Sequence, residues 1–337
     1  MTTLLIRAPI ALAPVLLFLA ALVHGDSYKL VRLQTVLGLM AAGAVAAGAS
    51  YVANFYLYAQ FAGNFDAYAR FVSPWIEEAL KAALLVYLIR ARRVGLPVDA
   101  GIAGFAIGTG FALIENLYYL ASRPDTAIAI QVIRGFGTAI MHGGTATVLA
   151  IISVTLYERR PNGGLYLFLP GFLVAVAIHG GFNFLLVRPV LATLTTLLVL
   201  PLIIYAVFQN SDRALRDWLD QDLDSKVQLL ELINSGTFLD SNAGRMLQTL
   251  RSRFRGEDLA DMLCLLRLHG ELALRAKGVL LMRESGMEEP PLDAETRDKL
   301  AELEQLERAI GRTGMLAVRP LMMATGKDIW QLRLLGR

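Results

Sequence analysis

The run Ala-Gly-Ile-Ala-Gly-Phe-Ala-Ile-Gly-Thr-Gly-Phe-Ala-Leu-Ile-Glu-Asn at 100–116 decides the fold class of this 337-residue chain. Within the longer apolar stretch 98–121 it supplies about the ~20 residues a helix needs to cross a bilayer. It lacks the ten-residue alternation of a membrane barrel strand, so the spanning element is a helix. Similar runs lie at about 8–23, 33–60, 71–89, 128–157, 165–187 and 190–208. Seven spans are therefore predicted, the first short and the last tight against Pro189.

Composition agrees. The chain is 55% hydrophobic and 18% charged, with a mean hydropathy of +0.50, whereas a soluble domain is about a quarter charged. Residues 1–208 hold 13 Lys plus Arg and 8 Asp plus Glu, and residues 209–337 hold 19 and 21. The expected organisation is an all-α polytopic membrane bundle, 1–208, joined to a soluble helical tail, 209–337. The net charge of +3 gives no support for nucleic-acid binding, and the single cysteine, Cys264, excludes a disulfide framework or a cysteine zinc site.

Alternate loops divide by basic content. Lys29, Arg32, Arg90, Arg92, Arg93, Arg159 and Arg160 fall on one side, and Arg70, Arg123 and Arg188 on the other. The richer side should be cytoplasmic, which puts the N-terminus outside and the tail inside. Residues 21–26 supply no small-residue cleavage site, so the first span is expected to be retained. In the tail, Lys226–Ile233, Leu247–Arg253, Leu259–Leu281 and Ala294–Ile310 carry helical periodicity, with a break at Gly286–Pro291. These fit a docking or regulatory domain.

Charged groups inside spans are costly and need a reason. The third span carries Glu77, Glu78 and Lys81, the fourth Glu115 and Asn116, the fifth Arg134 and His142, the sixth His179 and Asn183. At 1.5 Å per residue, Glu78 sits roughly 12 Å from the outer end of its span, Glu115 roughly 9 Å and His179 about 13 Å. Matching depth on successive helices predicts one shared cavity. Glu77 and Lys81 are four apart, as are His179 and Asn183, so each pair shares a face. Lys81 is expected to hold one carboxylate charged and leave the other as a base, with one pKa of the glutamate pair raised. Arg134 is expected to snorkel to the outer interface, and His24 and His269 to lie on the surface. The alanine-rich second span and Gly104 with Gly108 are read as close helix packing. Gly143–Gly144 and Gly180–Gly181, after the two histidines, are read as packing or site access.

These motifs together, Glu-Glu-x-x-Lys at 77–81, Phe-x-x-x-Glu-Asn at 111–116, His142 and His-x-x-x-Asn at 179–183, resemble the PrsW family of intramembrane proteases, distant relatives of the CAAX prenyl endopeptidases. The resemblance covers about residues 70–185. It implies that Glu77 activates water with Glu78 beside it, and that His179 and Asn183 stabilise the oxyanion. Where the CAAX-type relatives have Phe-x-x-x-His, Phe111 is followed by Glu115, so His142 is an alternative water-activating partner. It further implies a single-pass substrate, such as an anti-sigma factor, in a bacterial inner membrane.

The chemistry permits two routes. A glutamate base with an imidazole and a carboxamide is one. A zinc ion held by His142, His179 and either Glu78 or Glu115 is the other, although the His-Glu-x-x-His signature is missing. Peptide hydrolysis without a cofactor is the favoured expectation. A proton- or ion-coupled transporter would also use buried Glu, His and Lys, but no inverted repeat is visible. A non-catalytic relative that only binds partners would not be expected to keep the full set of motif residues.

Overall fold

The computed structural model describes residues 2–61, 64–123, 125–160, 163–185, 188–289, 291–322, 330–332 and 335. The described residues are helical and contain no strand. The chain divides into two compact units, residues 1–211 and 212–337.

The first unit contains α1 (Thr2–His24), α2 (Leu33–Tyr58), α3 (Phe65–Phe71), α4 (Ser73–Arg90), α5 (Pro97–Ser122), α6 (Ile128–Ile133), α7 (Ala139–Arg159), α8 (Leu169–Leu185) and the start of α9 (Pro189–Asn234). The helix starts follow from local chemistry. Pro74 and Pro97 sit in first turns, where a missing N–H costs nothing. Asn64 caps α3 by accepting from the Ala67 N–H at 3.0 Å. Asp99 accepts from the backbone N–H groups of Leu96 and Gly95 at 2.7 and 3.1 Å, closing the turn into α5.

Among the described residues, six helices are long and apolar enough to cross a membrane: Arg7–His24, Leu33–Tyr58, Pro97–Ser122, Ile128–Arg159, Leu165–Phe184 and Pro189–Asn234. The seventh expected span is α4. It has the length but carries Glu77, Glu78, Lys81 and Arg90 among its 18 residues. Its buried stripe is Pro74, Glu78, Lys81, Leu85 and Ile89. Glu78 and Lys81 thus share one face with the apolar residues that pack inward.

Helix α5 is the centre of the unit, buried along most of its length. Its glycines explain how. A Cβ on Gly108 would fall 2.2 Å from the carbonyl oxygen of His142 on α7, and one on Gly110 would fall 1.9 Å from that of Met40 on α2. The α5 backbone therefore lies directly against both neighbours. Ahead of α7, Arg134–Thr138 form a π-helical turn, a feature frequent at functional sites. Within it Gly135 lies against the Ile10 carbonyl of α1 and Gly137 against Thr193 of α9.

The second unit contains the rest of α9, then α10 (Asn242–Thr249), α11 (Gly256–Glu284) and α12 (Ala294–Met322). Helix α9 runs unbroken for 46 residues, so the Lys226–Ile233 segment is its last part. Helix α12 is kinked at Gly311, where φ is 67°. Pro290, part of the expected break, lies outside the described residues. Met262, Leu265, Leu272, Ala276 and Val318 form the core. His269, expected on the surface, is buried, because it falls on the inward face of α11 with Leu265 and Leu272. His24 is exposed as expected.

The backbone contact at Gly108 gives a direct test. A methyl group there meets a carbonyl that cannot yield, so Gly108→Ala should cost about 1–3 kcal/mol and lower the melting temperature in detergent. Gly38→Ala, with nothing within 4 Å of the new Cβ, should stay within about 0.5 kcal/mol.

Candidate active site

The polar residues of α4, α5, α7 and α8 meet around one cavity of about 930 Å³. Glu77, Phe111, Glu115, Arg134, His142, His179 and Asn183 line it; Glu78 and Lys81 stand behind the wall. Glu78 and Lys81 are both fully buried, and Lys81 Nζ lies 2.5 Å from Glu78 Oε1. The lysine thus pairs with the glutamate three residues away, which resolves the choice that spacing left open between Glu77 and Glu78. The α4 stripe turns Glu78 inward and leaves Glu77 toward the cavity.

Thr145 donates to Glu78 Oε1 at 3.1 Å and accepts from Lys81 Nζ at 3.4 Å. His179 Nδ1 lies 2.8 Å from the same Glu78 oxygen. A carboxylate held charged by lysine only accepts, so His179 carries its hydrogen on Nδ1 and presents the Nε2 lone pair elsewhere. Nε2 faces Glu77 Oε2 across 3.8 Å. The other oxygen of Glu77 accepts from Ser73 Oγ at 2.5 Å.

His142 is set the opposite way. Lys81 Nζ, which can only donate, lies 3.3 Å from His142 Nδ1. The imidazole hydrogen is then on Nε2, which lies 2.6 Å from Glu115 Oε2. That approach is an ion-pair distance without the alignment of a hydrogen bond, and Glu115 Oε2 has no aligned partner. The rings of His142 and His179 meet edge to face at 4.8 Å. Phe111 lies 5.0 Å from the His142 ring and 5.0 Å from Lys81 Nζ.

Arg134 does not snorkel. Its guanidinium donates to Glu115 Oε1 at 3.1 Å and lies 3.6 Å from the centre of the Tyr119 ring. The π-helical turn carries it inward, and a desolvated carboxylate competes better for it than the interface does. Asn116 lies off the cavity and donates to the Ala11 carbonyl at 2.8 Å, tying α1 to α5. Asn183 donates to the Ala69 carbonyl at 2.9 Å, which leaves its second amide hydrogen uncommitted.

Ser73 and Thr145 were not singled out from the sequence. The signal was there: Ser73 is one helical turn before Glu77, and Thr145 is three residues after His142. The two Gly-Gly pairs differ. Gly143 and Gly144 are pressed against Phe105 and Leu200, whereas Gly181 has nothing within 4 Å of an added Cβ.

Glu77, His142 and His179 each offer one ligand atom, and these atoms lie within 4.8 Å of one another. The expected metal sets used Glu78 or Glu115 instead. Glu78 and Glu115 each also approach a histidine, at 2.8 and 2.6 Å, but Lys81 engages the one and Arg134 the other, whereas Glu77 has no such cation partner among the described residues. Two imidazoles and a carboxylate are the donor set of hydrolytic zinc sites. Glu78 on His179 Nδ1 supplies the outer hydrogen bond such ligands usually have. The residues therefore fit a zinc ion in kind.

A polytopic helical membrane protein with a buried carboxylate–imidazole cluster opening on a cavity is the class defined by this fold and site. Residues 27–208 match the sequence model of the PrsW family intramembrane metalloprotease, and the chain belongs to that family. It is an intramembrane peptidase, a multi-pass membrane hydrolase. No curated protein and no solved structure matches the chain.

The buried pair predicts a specific stability pattern. Lys81→Met leaves the Glu78 charge uncompensated, which should cost about 3–5 kcal/mol. Thermal unfolding in detergent should show a large drop for the single variant, and Lys81→Met with Glu78→Gln should recover much of it.

Proposed function

We propose that the chain hydrolyses a peptide bond in or near the transmembrane segment of a single-pass membrane protein, with Glu77 as the base that activates water. One observation carries the assignment. Glu77 is the cavity-lining glutamate with no lysine or arginine partner among the described residues, and it faces the lone-pair side of His179 Nε2 at 3.8 Å.

In this reading Glu77 takes a proton from water as the oxygen attacks the scissile carbonyl carbon, then returns it to the departing amide nitrogen. The second amide hydrogen of Asn183 lines the same cavity and serves as a donor to the developing oxyanion, and the Nε2–H of His142 would join it on leaving Glu115 Oε2, which it faces at 2.6 Å. Ser73 orients Glu77. Glu78, Lys81 and Thr145 fix the tautomer and plane of His179. Arg134 balances Glu115.

A second reading is favoured by the grouping of Glu77, His142 and His179. These three residues would hold zinc, which when bound supplies Lewis acidity and a water acidic enough to ionise near neutral pH. His142 would exchange its contact with Lys81 or Glu115 for the ion, while Glu78 would keep orienting His179.

The distribution of basic loop residues supports a plasma-membrane topology with the N-terminus outside and residues 209–337 in the cytoplasm. The site then opens in the outer half of the bilayer. By family analogy the substrate resembles an anti-sigma factor.

Membranes from cells carrying wild type or Glu77→Gln at matched expression should differ in protein termini. New termini at a transmembrane segment are expected with wild type, reduced at least about 100-fold in the variant. Identical profiles under several envelope stresses would overturn the protease mechanism. Elemental analysis of the purified protein separates the two routes. One zinc per chain, lost in His179→Ala, selects the metal route. Zinc-free protein that keeps full activity in chelator selects the glutamate route.

A further inference from the structure

Helix α2 is rich in alanine and packs by close approach, yet it carries Ser50 and Asn54 one helical turn apart. Ser50 is buried and Asn54 half-buried. Asn54 Nδ2 donates to Ser50 Oγ at 3.0 Å. Tyr68 on α3 donates through its hydroxyl to Asn54 Oδ1 at 2.7 Å, with the Asn54 carbonyl 3.4 Å away. All three side chains line the cavity that holds Glu77, His142 and His179.

None of the three touches the hydrolytic cluster through a hydrogen bond among the described residues. The Ser50–Asn54 bond lies within one helix, and the Tyr68–Asn54 bond ties α3 to α2. Apolar packing at these positions is available to α2, which uses it at Ala46 and Ala47. The three side chains nonetheless keep further donors and acceptors on the cavity wall, and polar capacity held at a cavity among membrane-spanning helices points to a ligand.

The reaction defines what that ligand needs. In a transmembrane helix each carbonyl is bonded to the N–H four residues on, so hydrolysis requires the segment to unwind locally. The freed backbone groups then lie at a depth without bulk water and must find partners. Asn54 has a second amide hydrogen and a further lone pair on Oδ1, and both hydroxyls can donate and accept. Together they can serve the alternating C=O and N–H groups of an extended chain.

We propose that Ser50, Asn54 and Tyr68 form a binding ladder for the unwound backbone of the substrate, exchanging their internal hydrogen bonds for bonds to the peptide. The proposal rests on the protease reading and deepens it. Recognition at this wall is of main chain, so the preferred substrate is a transmembrane segment that unwinds readily at the cleavage point, whatever its apolar side chains.

Binding can be read without cleavage. The Glu77→Gln chain is reconstituted in liposomes with one of two 25-residue Leu/Ala transmembrane peptides carrying a diazirine. One peptide has Gly-Pro-Gly at its centre and the other is uninterrupted. The interrupted peptide should crosslink more strongly, and adding Asn54→Leu should reduce its half-saturating signal about tenfold. Asn54→Gln should restore at least half of the loss, Ser50→Ala should give a smaller loss, and the uninterrupted peptide should be little affected. Unchanged crosslinking in Asn54→Leu would overturn the ladder. So would equal loss of both peptides, which general damage to the cavity produces. The protease reading fails separately, on wild-type cleavage.

Discussion

The ion pair between Lys81 and Glu78 is the interaction on which the site depends. Both groups are fully buried in a helix that lies among apolar neighbours. An isolated charge there would be intolerable, and a buried pair is tolerated better the more of its remaining donors and acceptors are used. Thr145 and the two histidines engage Lys81 Nζ and Glu78 Oε1, while Glu78 Oε2 has no hydrogen-bond partner among the described residues. The arrangement does more than neutralise charge. Because the carboxylate only accepts and the ammonium only donates, the pair dictates which nitrogen of each histidine carries hydrogen. His179 is left with its lone pair toward the cavity, and His142 with its hydrogen toward Glu115.

That electrostatic core needs helices closer together than ordinary side chains allow. Gly108 and Gly110 let the α5 backbone touch α7 and α2 on opposite sides. Contact at Gly108 is with the carbonyl of His142 itself, so the packing of α5 against α7 also sets the height of that imidazole. Phe111, one turn further along α5, then meets the His142 ring and covers Lys81. Packing and chemistry are specified by the same turn of helix.

Much of this was legible in the sequence, because membrane helices offer few places for a charge. Matching depths of Glu78, Glu115, His142 and His179 predicted a common cavity, and those residues do gather. What sequence could not resolve was rotation about the helix axis. Glu77 and Glu78 are both within reach of Lys81 by spacing, and only the α4 burial stripe decides that Glu78 is the partner. Arg134 was misread for a related reason: the π-helical turn shifts its direction inward, and no residue pattern announces such a turn. His269 shows the same limit in the tail. Its helical face, rather than its polarity, decides its burial. Ser50 and Asn54 were overlooked because single small polar residues in an alanine-rich span look like packing until a cavity is seen beside them.

Charge balance in the inner group explains why Glu77 stands apart. Glu77, Glu78 and Glu115 are three carboxylates, while Lys81 and Arg134 are two permanent cations. Lys81 is committed to Glu78 and Arg134 to Glu115. Glu77 is left without a lysine or arginine partner of its own among the described residues, on a cavity whose wall also carries Asp66, Arg70 and Arg123. A site of low dielectric favours any process that delivers positive charge to that point. A proton taken from an attacking water does so, and so does a divalent cation shared with His142 and His179. Both proposed routes to peptide hydrolysis would draw on that unpaired carboxylate, and the buried pairs that leave it unpaired would matter as much as the residue that reacts.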